Sequence, residues 1–217
     1  MTEPIPGDGL RERKKQATRE ALSAAALRLA VQRGLDNLRV EDIAAEAGVS
    51  PRTFNNYFAN KAEAVASRHL DRARRIAAAL RARPPAEPLW AAVTTAVLEQ
   101  VGGGDRTPDR EWTAGVRLMT AERALYGEFL KANDQAEREL AAAVAERTGT
   151  RPDRDLYPRL VAAAVGAALR VAVVQWLRAD PPVPLTPLLR EALGQIGAGF
   201  PDPTPAPAAE GWEEGRR

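Results

Sequence analysis

An all-α chain of about nine helices is what the sequence predicts, on three observations. Alanine is abundant, and together with leucine it favours helix. Clusters of Val, Ile, Thr and aromatic residues that would mark strands are sparse, with aromatics at 5% of the chain. Apolar residues recur at helical spacing, and glycines and prolines fall where those runs stop.

Residues 1–9 hold two prolines and two glycines without periodicity and are expected to be disordered. From Leu10 the pattern turns helical, with Leu22, Ala26 and Leu29 on one face and Gly34 placed to end the helix. Leu35, Leu38 and Val40 pack a short link. A second helix covers Val40 to Ala47, with Ile43, Ala44 and Ala47 inward. Gly48 interrupts it, Ser50 caps a third, and Pro51 sits at N1, where proline is favoured. The third helix ends near Tyr57. Asn60 caps a fourth, and Glu63 stands three residues on, as in a capping box.

That helix runs to about Leu80 or Arg81. Pro84, Pro85 and Pro88 then separate two regimes of composition. The fifth helix is Leu89 to Val101, followed by three glycines. The sixth and seventh are Arg110 to Thr120 and Ala121 to Arg147. The eighth is Asp155 to Arg178, and the ninth, after a proline-rich connector, is Leu185 to Ala198. The domains expected are a disordered start at 1–9, a head at 10–60, a linker helix at 61–83, a helical body at 84–200 and a disordered tail at 201–217.

Several classes of function are excluded by what the 217 residues lack. There is no cysteine and His69 is the only histidine, so thiol chemistry, Cys ligands and a His-based metal site are all unavailable within the chain. His69 itself reads as a partly exposed helical residue. No Gly-rich phosphate loop, HExxH or G-x-S-x-G occurs, and Glu122, Glu128 and Asp134 read as solvated helix faces, so no enzyme activity, cofactor or metal is expected. Residues 1–10 lack the apolar core of a signal peptide. The most apolar run, Leu160 to Leu169, stops at Arg170, short of the ~20 residues of a membrane span. A cytoplasmic protein is expected.

Charge is uneven. Residues 1–83 carry 16 Lys/Arg against 10 Asp/Glu, and residues 84–217 carry 15 against 19. A basic first third on an acidic remainder suggests a polyanion as partner of that third.

The segment Val40 to Lys61, VEDIAAEAGVSPRTFNNYFANK, has the spacing of a helix-turn-helix. Ala44 is small where two helices cross, Gly48 permits the positive φ of the turn, and Val49 and Phe54 lock the second helix on the first. An ordinary helical hairpin in a bundle is the plainer reading. Against it, the third helix is short, and its outer face, Arg52, Thr53, Asn55 and Asn56, is made of side chains that can read base edges or phosphates. The first helix begins with Arg11, Arg13, Lys14, Lys15 and Arg19, a cluster suited to phosphates.

The pattern IAAEAGVSxxTFxxYFxNK over Ile43 to Lys61, with the upstream helix ending in Leu29 and Gly34, resembles the TetR family of bacterial regulators. The likeness is specific over about Leu10 to Val65. It implies a three-helix DNA-binding head, a linker helix, and a variable helical domain that binds an inducer and dimerises through its last two long helices. It implies base contacts by Pro51, Arg52, Thr53 and Asn55, and phosphate contacts by Asn56, Tyr57 and Lys61. Arg39 stands where the family often has a capping threonine. Arginine caps poorly, so a phosphate contact is the role left to it, with Glu41 and Asp42 suiting the helix dipole. RERKKxATRxA with VSPRTFxxYFxNK is similar to an actinobacterial subgroup resembling acyl-CoA-responsive regulators.

Large apolar residues of the fifth to seventh helices mostly fill a core, while some line a cavity between helices. Trp112, Val116, Met119 and Tyr126 are the expected lining, with Arg117 or Gln175 supplying a polar contact. The eighth helix is rich in small residues that let helix axes approach closely. Leu160, Ala164, Ala168, Leu169, Val173 and Trp176 there, with Leu188, Leu189, Leu193 and Ile196 of the ninth, are the expected homodimer interface. Burial of these faces within one subunit is the alternative. The expected function is a ligand-responsive repressor that binds palindromic operator DNA as a homodimer and is released by a small apolar or acyl-type effector. A protein–protein adaptor that has lost DNA binding, or a DNA-binding activator, are the rivals.

Overall fold

A computed structural model describes residues 8–101, 113–114, 117–118, 123–181 and 183–200. Among these are eight helices and no strand: α1 (Asp8–Arg33), α2 (Val40–Glu46), α3 (Pro51–Asn55), α4 (Lys61–Ala82), α5 (Leu89–Val101), α6 (Arg123–Thr148), α7 (Leu156–Arg178) and α8 (Leu185–Gly197). The helix expected over Arg110 to Thr120 lies mostly outside the described residues, though 113–114 and 117–118 are helical. The helix α1 begins at Asp8, two residues earlier than the apolar pattern indicates; the rest of the expected disordered start, and the tail from 201, lie outside the described residues.

Two cores organise the chain. Leu22, Ala26 and Leu29 of α1 are buried with Leu35, Leu38, Ile43, Ala44, Phe54 and Phe58. Gly34, at φ +80°, ends α1 and returns its N–H to the Ala30 carbonyl at 2.9 Å. Leu125 of α6 is also buried in this cluster and Leu118 packs against it, so the body contributes apolar side chains to the core of the head. The second core joins the last half of α4 (Ile76, Leu80) to α5, α6, α7 and α8. The linker helix α4 therefore spans both, with Ala64 and Val65 in the first core and Ile76 to Leu80 in the second.

Helix α4 starts on a capping pair. Asn60 Oδ1 accepts the Glu63 N–H at 2.7 Å, while the Glu63 carboxylate accepts the Ala59 N–H at 2.7 Å, one residue before the partner expected of a capping box. It runs antiparallel to α1 and parallel to α6, its most extensive partner. Arg74 pairs with Glu139 and, seven residues on along both helices, Arg81 pairs bidentately with Glu146 at 2.6 and 2.9 Å. In the same seam His69 lies 5.0 Å from Phe129, centroid to centroid; burial lowers its pKa to about 4, so the ring is neutral at pH 7. It is half-buried, in keeping with a partly exposed helical residue.

The turn between α4 and α5 is clamped from α6. The Arg147 guanidinium donates to the carbonyls of Arg83 (3.2 Å), Pro84 (2.5 Å) and Glu87 (2.7 Å). At the far end, the Trp176 indole donates to the Val183 carbonyl at 2.9 Å and so fixes the connector between α7 and α8.

Helix α7 carries one face into the body and leaves the other uncovered. Val161, Ala162, Val165, Ala168, Ala172 and Trp176 are buried. Leu156 (75% exposed), Leu160 (62%) and Val171 (59%) are not, and with Ala163, Ala167 and Val174 they follow i, i+4, i+7, i+11, i+15, i+18 down the outer face. By length and hydropathy α7 would also suit a membrane crossing, contrary to the reading that stopped its apolar run at Arg170. Only a third of its most apolar stretch is buried.

Candidate nucleic-acid interface

The turn that presents α3 is fixed by backbone geometry. Ala47 closes α2, Gly48 adopts φ +68°, and the Val49 N–H returns to the Ala44 carbonyl at 2.9 Å. A side chain at Gly48 would meet open space, so the constraint is the positive φ and not room. Ser50 then caps α3: its Oγ accepts the Thr53 N–H at 3.1 Å and shares a hydrogen bond with Thr53 Oγ1 at 2.9 Å. Pro51 occupies N1. Phe54 and Phe58 bury the inner side, with ring centroids 5.6 Å apart. The helix is shorter than expected, ending at Asn55, and Asn56 and Tyr57 form a turn that returns N–H groups to Arg52, Thr53 and Phe54.

With the apolar side pinned, the outer side is determined. Pro51, Arg52, Asn55 and Asn56 are exposed. Thr53 is half-buried and its hydroxyl shares a hydrogen bond with Ser50, so a base contact from it would use the methyl or the hydroxyl's remaining hydrogen-bonding capacity. Tyr57 is half-buried against the head core. Arg39 is exposed at the start of α2 and makes no capping hydrogen bond, as its side-chain chemistry predicts. Glu41 and Asp42 fill the first turn instead.

Lys61 has two partners that the sequence did not reveal. Its ammonium donates to the carbonyls of Asp36 (3.1 Å) and Leu38 (3.0 Å), tying the start of α4 to the α1–α2 link. An ammonium has three N–H donors, so one is left for a phosphate. Arg11, Arg13, Lys14 and Lys15 are exposed along the first turns of α1. Arg19 does not belong with them. Its guanidinium lies 4.6 Å over the Phe58 ring, and Nη1 donates to the Tyr57 carbonyl at 3.4 Å. Arg28–Glu46 (2.9 Å) and Arg33–Asp42 (3.6 Å) hold α1 against α2 from outside.

Two family models match parts of this chain. Residues 22–66 match the bacterial regulatory proteins of the tetR family, and residues 87–201 match the MftR C-terminal domain. The chain belongs to the TetR family of transcriptional regulators. It is 37% identical over 182 residues to the HTH-type transcriptional regulator TcmR of Streptomyces glaucescens, covering 80% of each. Its fold is similar to the fatty acid degradation regulator FadR of Bacillus halodurans (17% identity, TM-score 0.56, 92% of this chain and 98% of that one). It is also similar to a TetR-family regulator of Rhodococcus sp. (22% identity, TM-score 0.53, 85% and 98%). For this TetR-family chain, the helix-turn-helix of α2 and α3 is thus the DNA-binding element, with a helical domain behind it.

The expected ligand and dimer residues divide. Trp112, Val116 and Met119 lie outside the described residues; Arg117, Tyr126 and Gln175 are exposed on the surface of the protomer. Ala168, Trp176, Leu189 and Leu193 are buried in the protomer's own core, because α7 and α8 pack their apolar faces on α4, α5 and each other. Their side chains serve the protomer's own fold, which is the alternative of burial within one subunit. Leu169, Val173, Leu188 and Ile196 are half-buried against that core, Ala164 is half-buried, and Leu160 is exposed.

Proposed function

We propose that this TetR-family regulator is a ligand-responsive repressor that binds palindromic operator DNA as a homodimer in the bacterial cytoplasm. The observation that carries the DNA-binding half is the exposed row Pro51, Arg52, Asn55 and Asn56, projected by a helix whose other side is pinned by Phe54, the Gly48 turn and the Ser50 cap. A rigid, short, polar-faced helix of this kind fits the major groove, with Arg52 and Asn55 toward base edges, Thr53 in support, and Asn56, Tyr57, Lys61 and Arg39 on phosphates. The basic start of α1 adds non-specific affinity.

The homodimer is supported by the outer face of α7. A second copy packing Leu156, Leu160, Ala163, Ala164, Ala167 and Val171 against their own counterparts covers the apolar stripe, and two-fold symmetry matches a palindrome. Two heads then reach half-sites one turn apart, ~34 Å. The effector is a small apolar or acyl-type compound bound by the helical body, for which Trp112, Val116, Met119 and Tyr126 are the proposed apolar contacts and Arg117 or Gln175 the proposed polar one. It acts by preferring a state whose heads no longer fit the operator, which requires a coupling of about 1–3 kcal/mol.

The test is selection of duplexes from a randomised library by the purified protein at two salt concentrations. Enrichment of a palindrome, with affinity falling steeply in salt, is the expected result. A folded, ligand-free protein that enriches no sequence overturns DNA binding and leaves a protein–protein adaptor.

A further inference from the structure

Between the two cores lies a short polar seam. Ser67 and Asp71 are the buried polar residues of α4, one turn apart. Ser67 Oγ hydrogen-bonds Ser23 Oγ of α1 at 3.1 Å. One turn closer to the body, Asp71 is 4% exposed, its Oδ1 3.8 Å from Arg19 Nε and 3.7 Å from Arg74 Nη1. Each arginine leads away in a different direction. Arg19 lies on Phe58 and holds the Tyr57 carbonyl, immediately after α3. Arg74 donates Nε to Glu139 of α6 at 3.2 Å. Head, linker helix and body are joined by one line of groups: Tyr57 and Phe58, Arg19, Asp71, Arg74, Glu139.

We propose that Asp71 is a positioning residue that sets the angle of the head on the body by holding Arg19 and Arg74 at once. A buried carboxylate is a poor device for stability alone, since a well-packed apolar residue in its place is often neutral or stabilising. The contact is electrostatic in kind. Neither arginine is within hydrogen-bond reach of Asp71 Oδ1, and both that oxygen and Arg19 Nε are buried without a hydrogen-bond partner. Charge alone holds them, in contrast to the bidentate Arg81–Glu146 pair further along the same helix. Burial raises the Asp71 pKa, and Arg19 and Arg74 oppose that rise.

The surroundings leave room for movement. A cleft of about 540 Å³ opens beside the seam, lined by Lys15, Arg19 and Tyr57 on the head side and by Arg74 and Gln135 on the other. Leu125, buried in the head core, and Leu118, packed against it, are the apolar ties between head and body there. A ligand that shifts α6 displaces Glu139, hence Arg74, and weakens the hold on Arg19 at the base of α3.

This role for Asp71 rests on the reading of the chain as a two-state regulator, and its test is therefore made without DNA or effector. The chain lacks cysteine, so A45C on α2 and A91C on α5, both at exposed alanines, give two defined sites for nitroxide labels. Distances are read by pulsed electron resonance in protein diluted with unlabelled chain, so that only pairs within one chain count. Asp71→Asn is expected to widen the distance distribution about twofold while helicity stays unchanged. Glu139→Gln widens it less, and the double variant is no wider than Asp71→Asn, because the groups act in series. Asp71→Leu, if it gives the narrow distribution of the parent, reduces Asp71 to packing and overturns the proposal. Should Asp71→Asn fail to fold, Glu139→Gln alone decides: an unchanged width overturns it.

Discussion

The Trp90 indole N–H donates to the Leu193 carbonyl at 2.9 Å, stitching α5 to α8 across 103 residues of sequence. The ring fits because Gly197, one turn beyond Leu193, has no Cβ; one built there would overlap the indole. Gly197→Ala is expected to displace Trp90, break the hydrogen bond and cost about 1–3 kcal/mol in denaturant unfolding. Gly194→Ala, with no atom within 4 Å of the new carbon, is the control. It should be neutral or stabilising by up to about 1 kcal/mol.

Ser50→Ala removes the cap of α3 and the partner of Thr53 together. A loss of about 1 kcal/mol in stability is expected. Operator affinity should fall by a larger factor than stability alone implies, since the cap also fixes the rotamer of a groove-facing side chain. Calorimetry and fluorescence anisotropy on the selected duplex give the two numbers.

Arg52 and Lys14 should separate specificity from affinity. Arg52→Ala is expected to cost about 1–3 kcal/mol on the selected site and to relax preference at one base position. Lys14→Ala should weaken all duplexes alike and lower the slope of log K against log salt by about 1. Anisotropy titrations at several salt concentrations distinguish them.

Leu160→Glu places a charge on the most exposed stretch of α7 without touching the protomer core. Sedimentation equilibrium should show monomer where the parent is dimer, with unchanged helicity and operator affinity reduced by two orders of magnitude or more. A dimer that persists assigns the interface elsewhere. Partition of the parent into vesicles would instead give the stripe a lipid partner.

Acid should destabilise the fold through His69. Its pKa is lowered by burial, then by Arg72, with the Asn133 hydrogen bond opposing, from 6.5 to about 4. The folded chain therefore binds fewer protons than the unfolded one between those values. The stability tied to the neutral ring is fully present above pH 6.5 and is lost as pH falls towards 4, by up to about 3 kcal/mol. Urea midpoints at pH 7 and 4.5 should converge in His69→Gln relative to the parent. Asp71 contributes with the opposite sign, because burial raises its pKa.

The head was legible from sequence because its determinants are local. Gly48, Ser50, Pro51 and the Asn60–Glu63 pair each act within four residues, so spacing alone reveals them. Arg19 was not: it reads as one more cation in a basic run, and its partners Tyr57, Phe58 and Asp71 lie 38 to 52 residues away. Lys61 was missed in part for the same reason, its carbonyl partners being 23 and 25 residues back. Periodicity marked the apolar faces of α7 and α8 correctly but could not say which chain would cover them. Trp176, Leu189 and Leu193 are covered by their own, while Leu160 is not.

Arg147 has a mechanical consequence. By gripping the three carbonyls of the α4–α5 corner, it makes that end of α4 a fulcrum. A rod of 22 residues pivoting there is a lever about 33 Å long, so a tilt of about 5° sweeps its far end through about 3 Å. That is close to the rise of one base pair. In the regulator proposed above, small displacements in the body would thus be magnified at the head, and loosening the grip of Arg147 would let the corner give way and absorb the stroke before it reached the operator.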